Sequence, residues 1–236
     1  MNIRFWKYHG TGNDFIIIDN RSGKASLNSS QIAGLCHRHV GIGADGLIEV
    51  KQSDTCDFRM IYYNADGFEG SMCGNGGRCI TAFAVHSGLI EKEATFQAVD
   101  GLHQATVLSS KEDELTIRLT MQNVKIFKTL GNDFFIDTGS PHFVKFVQDI
   151  ESIDVVEEGK KIRWDKRFRP DGVNVNFAEA RKKELIVKTF ERGVEDHTLS
   201  CGTGNTASAM AMCLRTQSNQ REYNIESPGG RVKVGF

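Results

Sequence analysis

The chain has 236 residues, enough for one large domain or two small ones, and its composition of 39% hydrophobic and 25% charged residues excludes a disordered or fibrous protein. The formal net charge of -1 gives no electrostatic reason to expect nucleic acid or an anionic membrane as a partner. The six cysteines include no Cys-x-x-Cys pair and are too sparse for a disulfide framework, so reduced thiols are expected.

The first ten residues contain no apolar signal-peptide core, and the sequence has no apolar run long enough to cross a bilayer. These two features predict a cytoplasmic protein. Its expected partner is a small-molecule amino-acid substrate, for which the motifs described below give the reasons. The oligomeric state is left open, with a homodimer as one option.

β-like segments, recognised by alternation or β-branched residues, occur in the first half at 15–19, 95–98 and 115–119. Helices are predicted there at 30–39, with a serine N-cap, and at 78–85, where Ile80, Phe83 and Ala84 share one face. The second half has β-like segments at 174–178 and 185–190 and helices at 150–158 and 206–214. The elements predict an α/β (α+β) protein with a linker near 121–125.

The sequence also repeats short motifs at an offset of 127 or 128 positions. A rival match of Gly12 with Gly131 has a different offset and is set aside as coincidence. The common register predicts two similar domains, 1–121 and 122–236, that arose by internal duplication. The matching pairs are Thr11-Gly12-Asn13 with Thr138-Gly139-Ser140, Tyr63-Asn64 with Phe190-Glu191, and Cys73-Gly74-Asn75-Gly76 with Cys201-Gly202-Thr203-Gly204.

In each half one cysteine precedes a glycine-rich turn that opens a helix, Cys73 in the first half and Cys201 in the second. Glycine lets the backbone approach a ligand, and the N–H groups at a helix start favour an anion and lower the pKa of a thiol. A single turn of this kind is more often structural or phosphate-binding than catalytic. Two turns related by duplication instead predict opposed thiols that face one substrate.

Opposed thiols suit the inversion of a carbon stereocentre, which needs a base on one face and an acid on the other. The carboxylate of an α-amino acid is expected between the two helix starts, where backbone amides would stabilise the charge that develops as the Cα proton leaves. These amides belong to Gly74, Asn75, Gly202 and Thr203. No lysine lies in a context that demands pyridoxal phosphate, so no cofactor is expected.

The other cysteines, Cys36, Cys56, Cys79 and Cys213, lie in apolar stretches and are predicted to be structural or incidental thiols. Cys36 is followed by His37 and His39, but a second pair of ligands is missing from this spacing. No metal site is therefore predicted.

Eight ordered motifs, spread along nearly the whole chain, resemble those of diaminopimelate epimerases. They are His9-Gly10-Thr11-Gly12-Asn13-Asp14-Phe15, Gly41-Ile42-Gly43-Ala44-Asp45-Gly46, Tyr63-Asn64-Ala65-Asp66-Gly67, Met72-Cys73-Gly74-Asn75-Gly76-Gly77-Arg78-Cys79, Gly139-Ser140-Pro141-His142, Val173-Asn174, Glu191-Arg192-Gly193 and Ser200-Cys201-Gly202-Thr203-Gly204. The resemblance implies two similar domains, each a curved, mostly antiparallel sheet around a central helix, with the active site in the cleft between them. It implies interconversion of LL- and meso-diaminopimelate in lysine and cell-wall precursor synthesis, without metal or pyridoxal phosphate.

Site roles also follow from the resemblance. Cys73 and Cys201 become the acid/base residues, assisted by His142 and Glu191 respectively. The distal amino and carboxylate groups of the substrate are assigned to Asn13, Asn64, Asn174, Glu191 and Arg192. An adjacent Glu-Arg pair with amides can bind an ammonium and a carboxylate together, although such a pair can also be an exposed ion pair of little energetic value.

The sequence departs from the family pattern in several places. Ser140 stands where the family often has Asn, and Gly46 stands where some members have Gln. The interval from Glu191 to Cys201 is one residue longer than that from Asn64 to Cys73. Members of the family usually continue for a further strand or two beyond the point where this sequence stops.

Two other functions fit the sequence less well. A related racemase for proline or histidine is one, although proline racemases usually carry His where this sequence has Asn75, and they lack the Glu-Arg-Gly motif. A redox or ligand-binding module that uses the helix starts only to hold an anion is the other.

Overall fold

The computed structural model describes residues 2–112, 114–182 and 184–236, and the chain divides into two compact units, Met1–Met121 and Gln122–Phe236. Within the described residues, each unit contains one mixed sheet and two α-helices. None of the helices described is both long enough and apolar enough to span a membrane.

The first unit contains a seven-stranded sheet whose spatial order follows the chain. Its two parallel pairs, β2 with β3 and β4 with β5, are each joined by a helix, and the other neighbouring pairs are antiparallel. The elements are β1 (Trp6–Gly10), β2 (Asn13–Asp19), α1 (Ser29–Cys36), β3 (Gly46–Lys51), β4 (Phe58–Asn64), α2 (Gly74–His86), β5 (Glu93–Ala98), β6 (Gly101–Lys111) and β7 (Glu114–Leu119).

The second unit contains an eight-stranded sheet in the order β15-β14-β12-β11-β10-β9-β8, with β13 paired to β12. Its elements are β8 (Ile126–Leu130), β9 (Asp133–Asp137), β10 (Pro141–Phe146), α3 (Val155–Arg163), a 3-10 turn (Lys166–Phe168), β11 (Asn174–Ala180), β12 (Leu185–Glu191), β13 (Asp196–Thr198), α4 (Gly202–Thr216), β14 (Glu222–Ser227) and β15 (Gly230–Gly235).

The two units share one topology. Strands β1 to β6 of the first unit have the same order and directions as β9, β10, β11, β12, β14 and β15 of the second. The parallel pairs agree in register, since Phe15 lies opposite Gly46 and His142 lies opposite Asn174. The predicted duplicated α+β fold is therefore confirmed. Gly131, the rival match, lies in the β8–β9 turn, which the first unit does not duplicate.

Each sheet curves around its second helix. Helix α2 packs against both edge strands, β1 and β7, and helix α4 packs against the edge strand β15 and against β9, the strand next to the other edge. The predicted apolar face of α2 is almost completely buried, with Ile80, Phe83 and Ala84 no more than 1% exposed. Burial of such side chains contributes roughly 1.5–3 kcal/mol for each large one, so this helix is a central part of the core.

Strand β2 is buried on both faces. Phe15 and Ile17 pack in the α2 core, whereas Ile16 and Ile18 belong to a cluster with Ile32 of α1. Burial on both faces explains why this strand is a continuous apolar run, where a strand with one face in water would alternate.

All four helix starts of the described residues differ from those expected. Helix α1 is capped by Asn28 rather than by serine, in a capping box with Gln31. Helix α3 begins at Val155 and not near residue 150, because the Asp154 carboxylate accepts hydrogen bonds from the backbone N–H groups of Val156 and Glu157. Helix α2 begins four residues before the predicted start, and so does α4.

The glycines explain the early starts of α2 and α4. Glycine has a low helix propensity, which argues for a start beyond the glycine-rich turn. The glycines are instead inside the first helical turn because the sheet approaches them closely. A Cβ atom added to Gly77 would lie 2.9 Å from Leu119 Cδ2, and one added to Gly76 would lie 3.1 Å from Ile48 Cδ1.

Two helical glycines give a matched stability test. A Cβ added to Gly159 of α3 would lie 2.5 Å from Phe190 Cβ and Cγ, whereas one added to Gly34 of α1 would meet nothing within 4 Å. We expect Gly159→Ala to destabilise the fold by about 1–3 kcal/mol through overpacking. We expect Gly34→Ala to stabilise it by about 0.5–1 kcal/mol through helix propensity. Urea unfolding of both variants measures the difference, and equal effects would contradict the packing of α3 on β12.

Candidate active site

Both candidate catalytic cysteines are N-cap residues. Cys73 precedes α2 with φ -108° and ψ 117°, and Cys201 precedes α4 with φ -112° and ψ 110°. Their carbonyl groups accept the first helical hydrogen bonds, from Gly77 N and Asn205 N, at 2.8 Å each. An α-helix leaves the N–H groups of its first turn without an intrahelical acceptor, so both cysteines lie beside backbone donors that suit an anion.

In the first unit, Asn13 contacts the cysteine directly. Its Nδ2 donates to Asp45 Oδ2 at 2.7 Å, and because a carboxylate only accepts, this bond fixes the orientation of the amide. Asn13 Oδ1 therefore faces α2, where it accepts from Asn75 Nδ2 at 3.1 Å and from Cys73 Sγ at 3.6 Å. This geometry directs the thiol hydrogen of Cys73 to Asn13.

An ionic cluster holds Asp45 in place. Arg38 Nη2 donates to Asp45 Oδ1 at 2.6 Å and to Asp14 Oδ1 at 2.8 Å, and Lys7 also donates to Asp14. Burial raises the pKa of Asp14, but the hydrogen bonds and charges of Arg38 and Lys7 outweigh it and hold that pKa well below its usual range. Asp14 is thus a fixed acceptor for Arg38 and Lys7 at neutral pH, and Arg38 joins it to Asp45.

A partly buried cation, Arg78, lies one turn into α2. Arg78 Nη2 donates to Asn75 Oδ1 at 2.6 Å. Burial lowers the pKa of Arg78, and the neighbouring thiols of Cys79 and Cys73 oppose that shift. Burial also raises the pKa of Cys79 to about 12, so this thiol is protonated at neutral pH, in keeping with a structural role.

In the second unit, Asn174 connects three chain segments at one end of the sheet. Its Nδ2 donates to Ser140 Oγ at 2.8 Å and to Pro141 O at 3.0 Å, while its Oδ1 accepts from Arg192 N at 2.9 Å. Asn174 is only 3% exposed. It therefore positions the segment that precedes His142 and the turn that follows β12, and Ser140 serves as its acceptor.

The turn that contains Arg192 is held by the ion pair of Arg163 and Glu195. Glu195 Oε1 accepts from Gly193 N at 3.0 Å and from Arg163 Nε at 3.1 Å, and Arg163 Nη1 donates to Asp171 O at 2.8 Å. Arg163 is 5% exposed. Glu191 ends β12 and is half-buried, as is Arg192.

His142 lies in a line of hydrogen bonds that reaches Cys201. Its Nδ1 is 3.0 Å from Asn176 Nδ2, its Nε2 is 2.9 Å from Thr203 Oγ1, and Thr203 Oγ1 is 3.4 Å from Cys201 Sγ. Burial lowers the pKa of His142 to about 3, and the charge of Arg192 adds to this shift. His142 is therefore neutral at pH 7.

The structure brings together most of the predicted residues within each unit. In the first, Asn13, Cys73 and Asn75 are in contact, and Asn64 ends β4 opposite Gly46 at the same end of the sheet. Packing explains why position 46 is a glycine, because a Cβ atom there would lie 2.5 Å from the ring of Tyr62. The roles assigned to the site residues stay predictions.

Sequence reasoning missed three supporting residues, Asp45, Asn176 and Thr189. Asp45 lies in the motif at 41–46, but no role was predicted for it. Asn174 and Asn176 are two residues apart in an otherwise apolar strand, so they share one face of β11. A pair of amides on the buried face of a strand was the available signal, since buried polar groups must be hydrogen-bonded.

Comparison with known proteins gives a consistent result. The family model described as "Diaminopimelate epimerase" matches residues 5–126 and 134–236. The diaminopimelate epimerase of Flavobacterium psychrophilum is 45% identical, over 99% of this chain and 91% of that protein. The diaminopimelate epimerase of Chlorobaculum tepidum is 47% identical, over 96% of this chain and 90% of that protein.

Solved structures with the same fold are more distant in sequence. A Bacillus anthracis phenazine biosynthesis protein of the PhzF family superposes with a TM-score of 0.75 at 15% identity, covering 99% of this chain and 90% of that chain. A hydroxyproline epimerase from Agrobacterium vitis gives 0.70 at 16% identity, covering 99% and 83%. These two show the fold, and the family model with the two close relatives shows more: the chain belongs to the diaminopimelate epimerase family.

Proposed function

We propose that the protein interconverts LL- and meso-diaminopimelate, with one of Cys73 and Cys201 removing the Cα proton and the other delivering a proton to the opposite face. One observation carries the mechanism: equivalent positions of a duplicated fold each place a cysteine at the N-cap of the central helix. Inversion by proton transfer needs a base on one face and an acid on the other, and two equivalent groups can exchange these roles with reaction direction. The reaction in this form needs no metal and no pyridoxal phosphate.

The backbone donors at the two helix starts bind the substrate carboxylate. The first-turn N–H groups have no intrahelical acceptor and carry partial positive charge. They stabilise the negative charge that the carboxylate takes up as the Cα proton leaves, as an oxyanion site does. The donors are the amides of Gly74, Asn75, Gly202 and Thr203.

The two thiols have different surroundings, which supports opposite protonation states in the resting enzyme. Cys73 Sγ donates to Asn13 Oδ1, an arrangement that favours the thiol. Cys201 Sγ lies beside the hydroxyl of Thr203, which can donate to a thiolate. Cys73 then starts as the acid and Cys201 as the base.

His142 and Glu191 complete the catalytic set by family resemblance, as the groups that assist Cys73 and Cys201 respectively. The low pKa of His142 makes its imidazole a poor proton acceptor at neutral pH. Within its own unit the neutral ring is linked to Cys201 through the hydroxyl of Thr203. Its assistance to Cys73 rests on the family resemblance alone.

The distal ammonium and carboxylate of diaminopimelate bind Asn13, Asn64, Asn174, Glu191 and Arg192. Asn174 fixes the backbone of Arg192, which aligns the adjacent Glu-Arg pair. A carboxylate and a guanidinium side by side match a zwitterionic group better than a neutral side chain.

The product serves lysine and cell-wall precursor synthesis, and we place the enzyme in the cytoplasm. A reducing compartment keeps both catalytic cysteines as thiols, which the mechanism requires.

Single replacement of either cysteine tests the two-base mechanism. Cys73→Ala and Cys201→Ala should each lose epimerisation, because one face of the substrate then has no proton donor or acceptor. The remaining thiol still exchanges the proton on its own face, so residual deuterium incorporation from heavy water should be confined to one stereoisomer, and to opposite isomers in the two variants. Cys56→Ala is the matched control. Near wild-type epimerisation by either active-site variant would refute the mechanism.

Removing the distal charges from the substrate tests the assignment to diaminopimelate. Lysine lacks the distal carboxylate and 2-aminopimelate lacks the distal amine, so each leaves polar groups of the protein without a partner, at about 1–3 kcal/mol per group. We expect kcat/KM to fall at least ~10-fold for each analogue. A substrate panel that includes proline and histidine measures this. Equal rates for lysine and diaminopimelate would show that the distal pocket is assigned wrongly.

A further inference from the structure

On the basis of the proposed function, we propose that Asn176 is a positioning residue for Cys201. Its amide sets the direction of the hydrogen bonds through His142, so that the hydroxyl hydrogen of Thr203 points at Cys201 Sγ. Asn176 is fully buried and lies in the middle of β11, where its side chain reaches the sulfur only through these two residues.

The orientation of the Asn176 amide is determined by two neighbours. Its Nδ2 lies 3.2 Å from Phe143 O, a carbonyl that only accepts, and its Oδ1 accepts from Thr189 Oγ1 at 2.9 Å. A flipped amide would place two oxygen atoms against each other at Phe143. The side of the amide that faces His142 is therefore its donor, Nδ2.

This orientation selects one tautomer of His142. Because Nδ1 receives a hydrogen bond from Asn176, it has no hydrogen, and the single hydrogen of the neutral ring is on Nε2. Nε2 then donates to Thr203 Oγ1. A hydroxyl that accepts from histidine still has its own hydrogen to donate, and Cys201 Sγ is 3.4 Å away. Every bond in the line runs toward the sulfur.

The imidazole of His142 stays neutral, so the hydrogen bonds from Asn176 to Cys201 all donate in the same direction at neutral pH. His142 is completely buried, and the nearby charge of Arg192 also disfavours its protonation. A neutral ring cannot reverse its hydrogen bonds while Asn176 donates to Nδ1. Protonation would be needed to add a second donor, and burial opposes it.

The first unit serves as an internal comparison. By strand register, His142, Asn176 and Thr189 correspond to Phe15, Ile48 and Tyr62. The three equivalents are apolar or aromatic, and the rings of Phe15 and Tyr62 pack edge to face at 5.9 Å. The fold therefore does not require polar residues at these positions. Buried polar groups cost free energy unless every one of them is hydrogen-bonded. A hydrogen-bonded set at positions where the same fold accommodates apolar side chains indicates a function beside Cys201.

The helix start leaves room for this amide. A Cβ added to Gly204 would lie 2.3 Å from Asn176 Oδ1, whereas the equivalent atom on Gly76 would meet Ile48 Cδ1 at 3.1 Å. Asn176 thus fills a space that the absence of a side chain at Gly204 creates.

The test is the pH dependence of alkylation of Cys201, measured by mass spectrometry with Cys73 as the internal reference. A donor to the thiolate lowers the pKa of a thiol, so losing it raises the pH midpoint. We expect Asn176→Leu to raise the midpoint of Cys201 by about one pH unit and to leave Cys73 unchanged. Thr189→Val is the matched control. This variant alters packing at the Asn176 amide but leaves Nδ2 fixed by Phe143 O. The Cys201 midpoint of Thr189→Val should therefore equal that of the wild type.

A second pair of variants tests the route through Thr203 and does not depend on Asn176 variants folding. Thr203→Val should raise the Cys201 midpoint, and Thr203→Ser should restore it. In the Thr203→Val background, adding Asn176→Leu should not shift the Cys201 midpoint further, because both changes interrupt the same series of hydrogen bonds. Nitrogen NMR of 15N-histidine-labelled protein should show neutral His142 with its hydrogen on Nε2 at pH 7.

The outcomes are distinct from those that test the proposed function. Unchanged Cys201 midpoints in Asn176→Leu and Thr203→Val, a hydrogen on Nδ1 of His142, or an equal shift in Thr189→Val would each overturn the positioning role. Alkylation needs no substrate, so a protein that fails to epimerise diaminopimelate could still show the midpoint shifts. An active epimerase without them would retain the proposed function and lose this inference.

Discussion

The close approach of each central helix to the middle of its sheet is the constraint on which the rest of the structure depends. Gly76 and Gly204 lie in the first turns of α2 and α4, and a Cβ atom at either position would press on β3 or β11. Because the first turn is made of small residues, its N–H groups remain accessible to a ligand. The residue before that turn must be the N-cap, and in both units it is a cysteine. The placement of the two thiols is thus a consequence of helix packing.

The two units use this common frame for different chemistry. In the first, an ionic cluster fixes Asp45, which orients Asn13 as an acceptor for the Cys73 thiol. In the second, Asn174 ties the strand ends together, and buried polar side chains lead to Cys201. Duplication produced two equivalent helix starts, and the residues behind each one diverged. An enzyme with two proton-transfer groups benefits from that divergence, because one group must begin protonated and the other must not.

The sequence was sufficient to predict the duplicated fold and the cysteine that precedes each central helix, because the glycine-rich turns are local patterns that recur at a constant offset. Sequence reasoning placed the starts of α2 and α4 four residues late, since glycine propensity argues against a helix where tertiary packing demands one. It also missed Asn176 and Thr189. Their role depends on which strand faces α4, and that pairing joins residues far apart in the chain. The departure at Gly46 is explained only by the position of the Tyr62 ring, which no local pattern encodes.

A neutral histidine behind Cys201 fits the chemistry better than a charged one. A thiolate paired with an imidazolium has a strongly depressed pKa, as in cysteine proteases, and is correspondingly a weak base. Removing a proton from a Cα atom demands a stronger base, and base strength rises with pKa. A hydroxyl donor stabilises the thiolate less than a full positive charge does. Burial of His142, which holds its pKa at about 3, therefore preserves the basicity of Cys201 while still orienting a hydrogen bond toward it. In the proposed mechanism, these surroundings favour proton abstraction from carbon over nucleophilic attack by sulfur.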